Sequence, residues 1–203
     1  ATPEMKEEGV KEYGLDPLRK HIFIVGGSLG SARFNQCMKK WITDGCPGID
    51  GVDVLWQCGK HYKPDIDKFM DEQRAKNPDV VRHIHHSDFI GRMDLAYAAA
   101  DVVVSRSGAS SVSELCAARK AVIFIPSPNV AEDHQTHNAM ALVRKDAAVV
   151  VKDSEAMEKM IPTALELLKD PARIATLEEN AGKMALPDAA EKIAEEVYKL
   201  VKG

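Results

Sequence analysis

Short, unbroken apolar runs alternate along this chain with longer stretches in which apolar residues recur every three or four positions. The runs fall at residues 21–25 (HIFIV), 52–58 (VDVLWQC), 80–84 (VVRHI), 101–105 (DVVVS), 121–126 (AVIFIP) and 147–151 (AAVVV), and each reads as a strand. The stretches between them predict helices over about residues 31–41, 63–76, 93–100, the segment after the fourth strand, and 132–146. From 154 to 202 the pattern is helical throughout, punctuated at Asp170–Pro171 and at 186–188 (LPD). Strands that are apolar along their whole length, separated by helices, belong to a parallel sheet covered on both faces. The expected fold is therefore α/β: a Rossmann-like doubly wound parallel sheet of about six strands with a C-terminal helical segment. No internal repeat, low-complexity tract or linker interrupts it, so residues 1–203 are expected to form one domain. In such a sheet, ligands lie in the crevice outside the carboxyl ends of the strands.

Composition narrows the classes. A net charge of -4 leaves no basic footprint for nucleic acid or an anionic membrane surface. The longest apolar runs are far too short to span a bilayer. The charged start, ATPEMKEEGVKEYG, lacks the apolar core of a secretory signal. Cys37, Cys46, Cys58 and Cys116 show no CxxC spacing and read as reduced thiols of a cytoplasmic protein. The first residue is Ala1 rather than methionine, and the chain is expected to be a piece of something longer.

Three turns follow strands and carry small or polar residues. GGSLGSA (26–32) joins the first strand to a helix, as a phosphate-binding turn does, with Ser28 at its centre. It is not GxGxxG, no acid ends the second strand at LWQCG, and no GK[ST] follows, which disfavours nicotinamide, flavin and Walker-type sites. The turn either holds a phosphate or only packs helix on strand. SRSGASSVSE (105–114) places Ser110 and Ser111 at a helix start, where N–H groups meet an oxyanion. Glu114 would repel a phosphate but suits the paired hydroxyls of a ribose. The other reading is a capping box of serine and Glu114. PSPNVAEDHQTHNA (126–139) crowds Glu132, Asp133, His134 and Gln135 at a helix start, either to meet sugar hydroxyls or as acidic capping with a solvated face. Two such turns, after strands one and four, flank the usual switch point and favour a nucleotide.

RHIHHSDFIG (82–91) holds three of the seven histidines. Alternation puts His83 and His85 on one face, but no further ligand stands near, so a metal is disfavoured. The DFI that follows could lean an apolar residue on a base. His134 or His137 with Asp133 could act as acid and base, although sequence neighbours alone establish no such pair. Trp41 and Trp56 read as core.

Taken together and in this order, GGSLGSARFNQ, ADVVVSRSGASSVSEL and PSPNVAEDHQTHNA resemble the C-terminal half of the MurG transferases of glycosyltransferase family 28. The resemblance runs from about His21 to the end. It implies one half of a GT-B fold, the half that binds UDP-N-acetylglucosamine. It implies that Ser28, Ser110 and Ser111 contact the diphosphate, that Ile90 meets uracil through its backbone, that Glu114 holds the ribose, and that Gln135 with His134 binds the sugar. The whole enzyme would transfer N-acetylglucosamine, with inversion, to a lipid-linked acceptor (lipid I to lipid II) at the cytoplasmic face of the inner membrane. The acceptor loop, catalytic base and membrane patch would belong to an N-terminal domain, so this half has no catalytic residue of its own, no direct membrane contact, and is expected to bind donor weakly and transfer nothing. No metal or cofactor is implied where a helix N-terminus carries the charge. Two positions depart from the family pattern: an arginine expected at 32 is displaced to Arg33 by Ala32, and His134 stands where some members have glutamine. A donor-binding subunit of a two-chain transferase, or a transferase with a natural-product acceptor, fits the same residues.

Overall fold

The apolar runs do pair into one sheet. The computed structural model describes residues 2–128, 133–186, 191, 192, 194 and 197–199. Its strands are β1 (Lys20–Val25), β2 (Val52–Gln57), β3 (Ile84–Ser87), β4 (Val102–Ser105), β5 (Val122–Phe124) and β6 (Val149–Val150). They lie in the order β3-β2-β1-β4-β5-β6, and every pair is parallel. The helices are α1 (Pro3–Glu12), α2 (Ala32–Thr43), α3 (Lys63–Lys76), α4 (Pro78–Val81), α5 (Met93–Ala99), α6 (Ala109–Ala117), α7 (His134–Val143), α8 (Ala156–Leu168) and α9 (Pro171–Lys183). The part of the helical expectation that falls on 129–132 and most of 187–203 lies outside the described residues.

Strand periodicity explains the two cores. Ile22 and Ile24 of β1, Val102 and Val104 of β4 and Ile123 of β5 pack on one face with Phe34 and Met38 of α2, Ile66 of α3 and Met160 of α8. Phe23, Val25, Val103, Val122 and Phe124 point the other way, to Val10 of α1, Ala96 of α5, Leu115 of α6 and Leu142 of α7. Both faces are buried, so neither can be polar. Each of these large side chains contributes roughly 1.5–3 kcal/mol on burial. Trp56 is fully buried, as its sequence context predicts, and its indole N–H donates to Asn35 Oδ1 at 3.0 Å. The four cysteines are buried and unbridged, and burial pushes the Cys37 and Cys58 thiols to about 11 and Cys46 to about 12.

Two features differ from the sequence reading. Val80 and Val81 do not begin the third strand; they lie in or beside the short helix α4, and β3 starts at Ile84. Pro78 stands at the first helical turn, where its fixed φ and missing N–H are at home, and this outweighs the strand preference of two valines. The N-terminal segment is a helix, α1, that the apolar pattern does not announce. Thr2 caps it, its hydroxyl accepting from the Met5 N–H at 3.3 Å. Its few apolar residues give little periodic signal, and it is held by tertiary contact: a Cβ at Gly9 would sit 2.3 Å from the Leu95 carbonyl oxygen of α5.

His83 and His85 do share a face, and what they face is a carboxylate. Asp53 on β2 is 1 % exposed. Its oxygens meet Arg19 Nε at 2.6 Å, His83 Nδ1 at 2.9 Å and the Asp16 N–H at 2.8 Å, with His85 Nε2 at 3.6 Å. The third histidine of the motif, His86, meets Asp67 Oδ1 at 2.8 Å. Burial alone would raise the Asp53 carboxyl; the approach of His85, the Asp16 N–H and His83 outweighs it and holds the group well below the usual carboxylate range. A carboxylate with a depressed folded pKa contributes stability that is present above its unfolded value, about 3.9, and lost as pH falls below it. Asp53→Ala is expected to lower unfolding free energy in urea at pH 7 by about 3 kcal/mol, and the gap to the parent should narrow as pH falls toward 3. An unchanged gap would show that the ion cluster does not stabilise the fold.

Candidate functional site

β1 and β4 are neighbours in the sheet, yet β1 leads into α2 on one face and β4 into α6 on the other. Both helices therefore start at the same place, over the carboxyl ends of adjacent strands. Ser31 caps α2, its Oγ accepting from the Phe34 N–H at 3.4 Å. The N-cap of α6 is Gly108, with no side-chain cap, so the capping-box alternative for Ser110, Ser111 and Glu114 does not form. The first intrahelical bond runs from the Val112 N–H to the Gly108 carbonyl, which leaves the N–H groups of Ala109, Ser110 and Ser111 without an acceptor among the described residues. Glu114 lies one turn further in and accepts from the Tyr97 hydroxyl at 3.2 Å. Burial, reinforced by that carboxylate, pushes the Tyr97 phenol far above its ordinary value, so it stays a donor.

Two open cavities adjoin here and share Gly27 and Ser111. The first, of about 410 Å³, is lined by Ser28, Ile90, Ser110, Ser111 and Glu114, with Gln57 and Tyr97. Five of the seven residues expected from the sequence thus meet in one cavity. Phe89, 59 % exposed, also lines it, the apolar side chain expected of the DFI loop. No hydrogen bond among the described residues engages the backbone of Ile90. The second cavity, of about 500 Å³, is lined by Ser31, Arg33, Arg106, Ser111, Gln135 and Asp153 among others. His134 opens α7 but lines neither cavity, and Glu132 lies outside the described residues.

The second cavity has a polar frame that the sequence did not reveal. Arg106 Nη1 donates to Asp153 Oδ1 (2.7 Å) and the Ile125 carbonyl (2.9 Å), Nη2 donates to Ser31 Oγ (3.1 Å), and the guanidinium lies over the Phe34 ring at 4.7 Å. Arg33 Nε pairs with the other Asp153 oxygen at 3.1 Å. The displaced arginine thus still lines the cleft, and two arginines against one aspartate leave that corner net positive. Gln135 accepts from the Ser127 N–H at 2.9 Å, while its own carbonyl receives the Ser107 hydroxyl at 2.7 Å and Asn138 donates to the Ser107 carbonyl at 3.0 Å. Arg106 lies inside SRSGASSVSE and Gln57 inside LWQCG, where neither motif marks it for a role. Asp153 carried no local signal.

Six parallel strands in this order, helices on both faces and a cleft at the β1–β4 switch point define one Rossmann-like half of a GT-B glycosyltransferase. The chain belongs to glycosyltransferase family 28: residues 21–193 match the family's C-terminal domain. A UDP-N-acetylglucosamine–N-acetylmuramyl-(pentapeptide) pyrophosphoryl-undecaprenol N-acetylglucosamine transferase of Parabacteroides distasonis is 45% identical over 201 residues, 97% of this chain and 51% of the relative. One of the same name from Bacteroides thetaiotaomicron is 43% identical over 204 residues, covering 100% of this chain and 53% of the relative. Among solved structures, Acinetobacter baumannii MurG superposes with a TM-score of 0.70 at 25% identity over 94% of this chain and 53% of that one. The chain spans about half the length of the curated relatives it matches.

The turn that opens the cleft depends on two glycines in close backbone contact. Gly30 has φ +78°, and a Cβ there would sit 2.3 Å from the Cys58 carbonyl oxygen; one at Gly59 would sit 2.2 Å from the Leu29 carbonyl oxygen. Gly30→Ala combines left-handed strain with a backbone clash and is expected to destabilise the protein by about 2 kcal/mol or more in urea unfolding. A loss below about 0.5 kcal/mol would mean that the turn relaxes freely.

Proposed function

We propose that residues 1–203 are the UDP-sugar-binding domain of an inverting N-acetylglucosamine transferase, whose whole chain passes the sugar to a lipid-linked muramoyl acceptor in peptidoglycan synthesis. The observation that carries this reading is the convergence of two uncapped or partly capped helix starts on one cleft, with a carboxylate at one end and a carboxamide at the other. The diphosphate would lie at the starts of α2 and α6, against Ser28, Ser110 and Ser111, where free N–H groups and the positive helix ends favour an anion. Uracil would meet the open backbone of Ile90, the ribose hydroxyls would bond Glu114, and the sugar would reach toward Gln135 with His134 beside it. The names of the family relatives support the choice of UDP-N-acetylglucosamine and of the acceptor.

In such a transfer the acceptor oxygen bonds to the anomeric carbon from the face opposite the diphosphate. The bond from that carbon to the diphosphate oxygen breaks, and its electron pair leaves with UDP. The N–H groups of α6 and the net positive corner at Arg106 would stabilise that developing charge without reorganising. The acceptor proton would pass to a base in the part of the relatives' length that this chain does not match. A cytoplasmic location at the membrane face goes with this reading; among the described residues no helix is long and apolar enough to cross a membrane.

Calorimetric titration of the chain with UDP-N-acetylglucosamine, UDP-glucose, TDP-glucose and NADH tests it. Selective binding of the first is expected, and preference for NADH would overturn the reading. Glu114→Ala should weaken UDP binding by roughly 1–3 kcal/mol, the effect of losing a charged hydrogen-bond partner. Unchanged affinity would remove Glu114 from the ribose.

A further inference from the structure

At the base of the first cavity one side chain touches both of its walls. Gln57 is the last residue of β2, which lies between β1 and β3 in the sheet. In register it stands opposite Val25 on one side and Ser87 on the other. Each neighbour leads directly into a wall of the cavity: β1 into the glycine turn of Ser28, β3 into the loop of Asp88, Phe89 and Ile90. A side chain at the end of the middle strand is the one placed to reach both loops at once.

The contacts follow that placement. Gln57 Nε2 donates to the Ser28 carbonyl at 3.4 Å and to the Asp88 carbonyl at 3.3 Å. Both distances are at the long end for an N–H···O bond, so the bridge is made but not drawn tight. The residue is 3 % exposed, and its Oε1 is buried with no partner among the described residues. A buried acceptor left unpaired is unfavourable. The carboxamide cannot relieve this by turning over, because Oε1 would then face two carbonyl oxygens. The two walls fix its orientation, and the unpaired oxygen is the consequence. A carboxamide held in this way between the two walls of a ligand cavity points to a role in shaping that cavity.

We infer that Gln57 is a positioning residue for the nucleoside end of the cleft: its carboxamide ties the Ser28 turn to the Asp88–Ile90 loop and so sets the spacing of the walls between which a base and ribose would lie. The half of the inference that concerns a nucleoside rests on the proposed UDP-sugar reading; the tie between the loops does not. Ser28 and Ile90 would be brought to their partners through this residue, which itself touches the loops rather than the reacting atoms. The diphosphate end depends on the starts of α2 and α6, and Gln57 does not line the cavity there.

The test uses Gln57→Met, which keeps the length and removes both hydrogen-bonding atoms, and Gln57→Glu, which keeps the shape and sets an acceptor against two carbonyls. Hydrogen exchange of the ligand-free protein is read over residues 26–31 and 87–91, with α9 as internal reference. Calorimetry then compares UDP with inorganic pyrophosphate, which needs only the helix starts. Exchange is expected to quicken in both loops and not in α9. UDP affinity should fall roughly tenfold or more while pyrophosphate affinity stays the same. Unchanged exchange in either loop, or parallel loss of UDP and pyrophosphate, would overturn the inference. If the parent chain binds pyrophosphate but not UDP, the UDP-sugar reading fails, and the exchange data alone decide whether the loops are tied. Should the Met variant not fold, the Glu variant carries both measurements.

Discussion

The pairing of β1 with β4 is the constraint on which the cleft depends. Val25 lies opposite Ser105, so the two strands end together, while the chain leaves them toward opposite faces. Two helices thereby begin within reach of one ligand, each with N–H groups that its own first turn cannot use. The alternation of apolar residues keeps the arrangement rigid. β1 and β4 each contribute to both cores, so shifting β1 by one residue would move Ile22 and Phe23 into each other's layers and disrupt both.

Charge organisation follows from the same geometry. The strand ends crowd carbonyl groups and helix starts crowd N–H groups, and long polar side chains join them. Arg106 is 14 % exposed, stacked on Phe34 and bonded to Asp153, Ser31 and the end of β5. It brings these segments together beside the start of α2. A lysine could supply the charge but not the planar fork that reaches three directions at once. The opposite end of the sheet is handled differently. Asp53, Arg19, His83 and His85 form a compact cluster away from the cleft, and the two histidines gather around a single buried carboxylate.

Much of the fold was legible because its signals are local. Apolar runs, their spacing and the small residues at three turns each lie within a dozen consecutive residues. They located the sheet, the crevice, and Ser28, Ser110, Ser111 and Glu114, which do line one cavity. The capping box was an equally local reading and failed for a reason outside the turn: Gly108 takes the cap position and Tyr97, from α5, takes the carboxylate. Helix α1 was invisible because its stability comes from α5 rather than from its own periodicity, and β3 was placed too early because Pro78 overrode two valines.

What the sequence by itself determined is the class of fold and the end of the sheet where chemistry belongs, since both follow from periodicity and from the backbone freedom of small residues. Only the tertiary structure decided which side chains frame the cleft. Arg106 meets Asp153 across 47 positions, and Gln57 meets Ser28 and Asp88 across 29 and 31. A hydrogen bond requires its atoms within about 3.5 Å, and pairs so distant in the chain acquire that proximity only when the sheet has assembled.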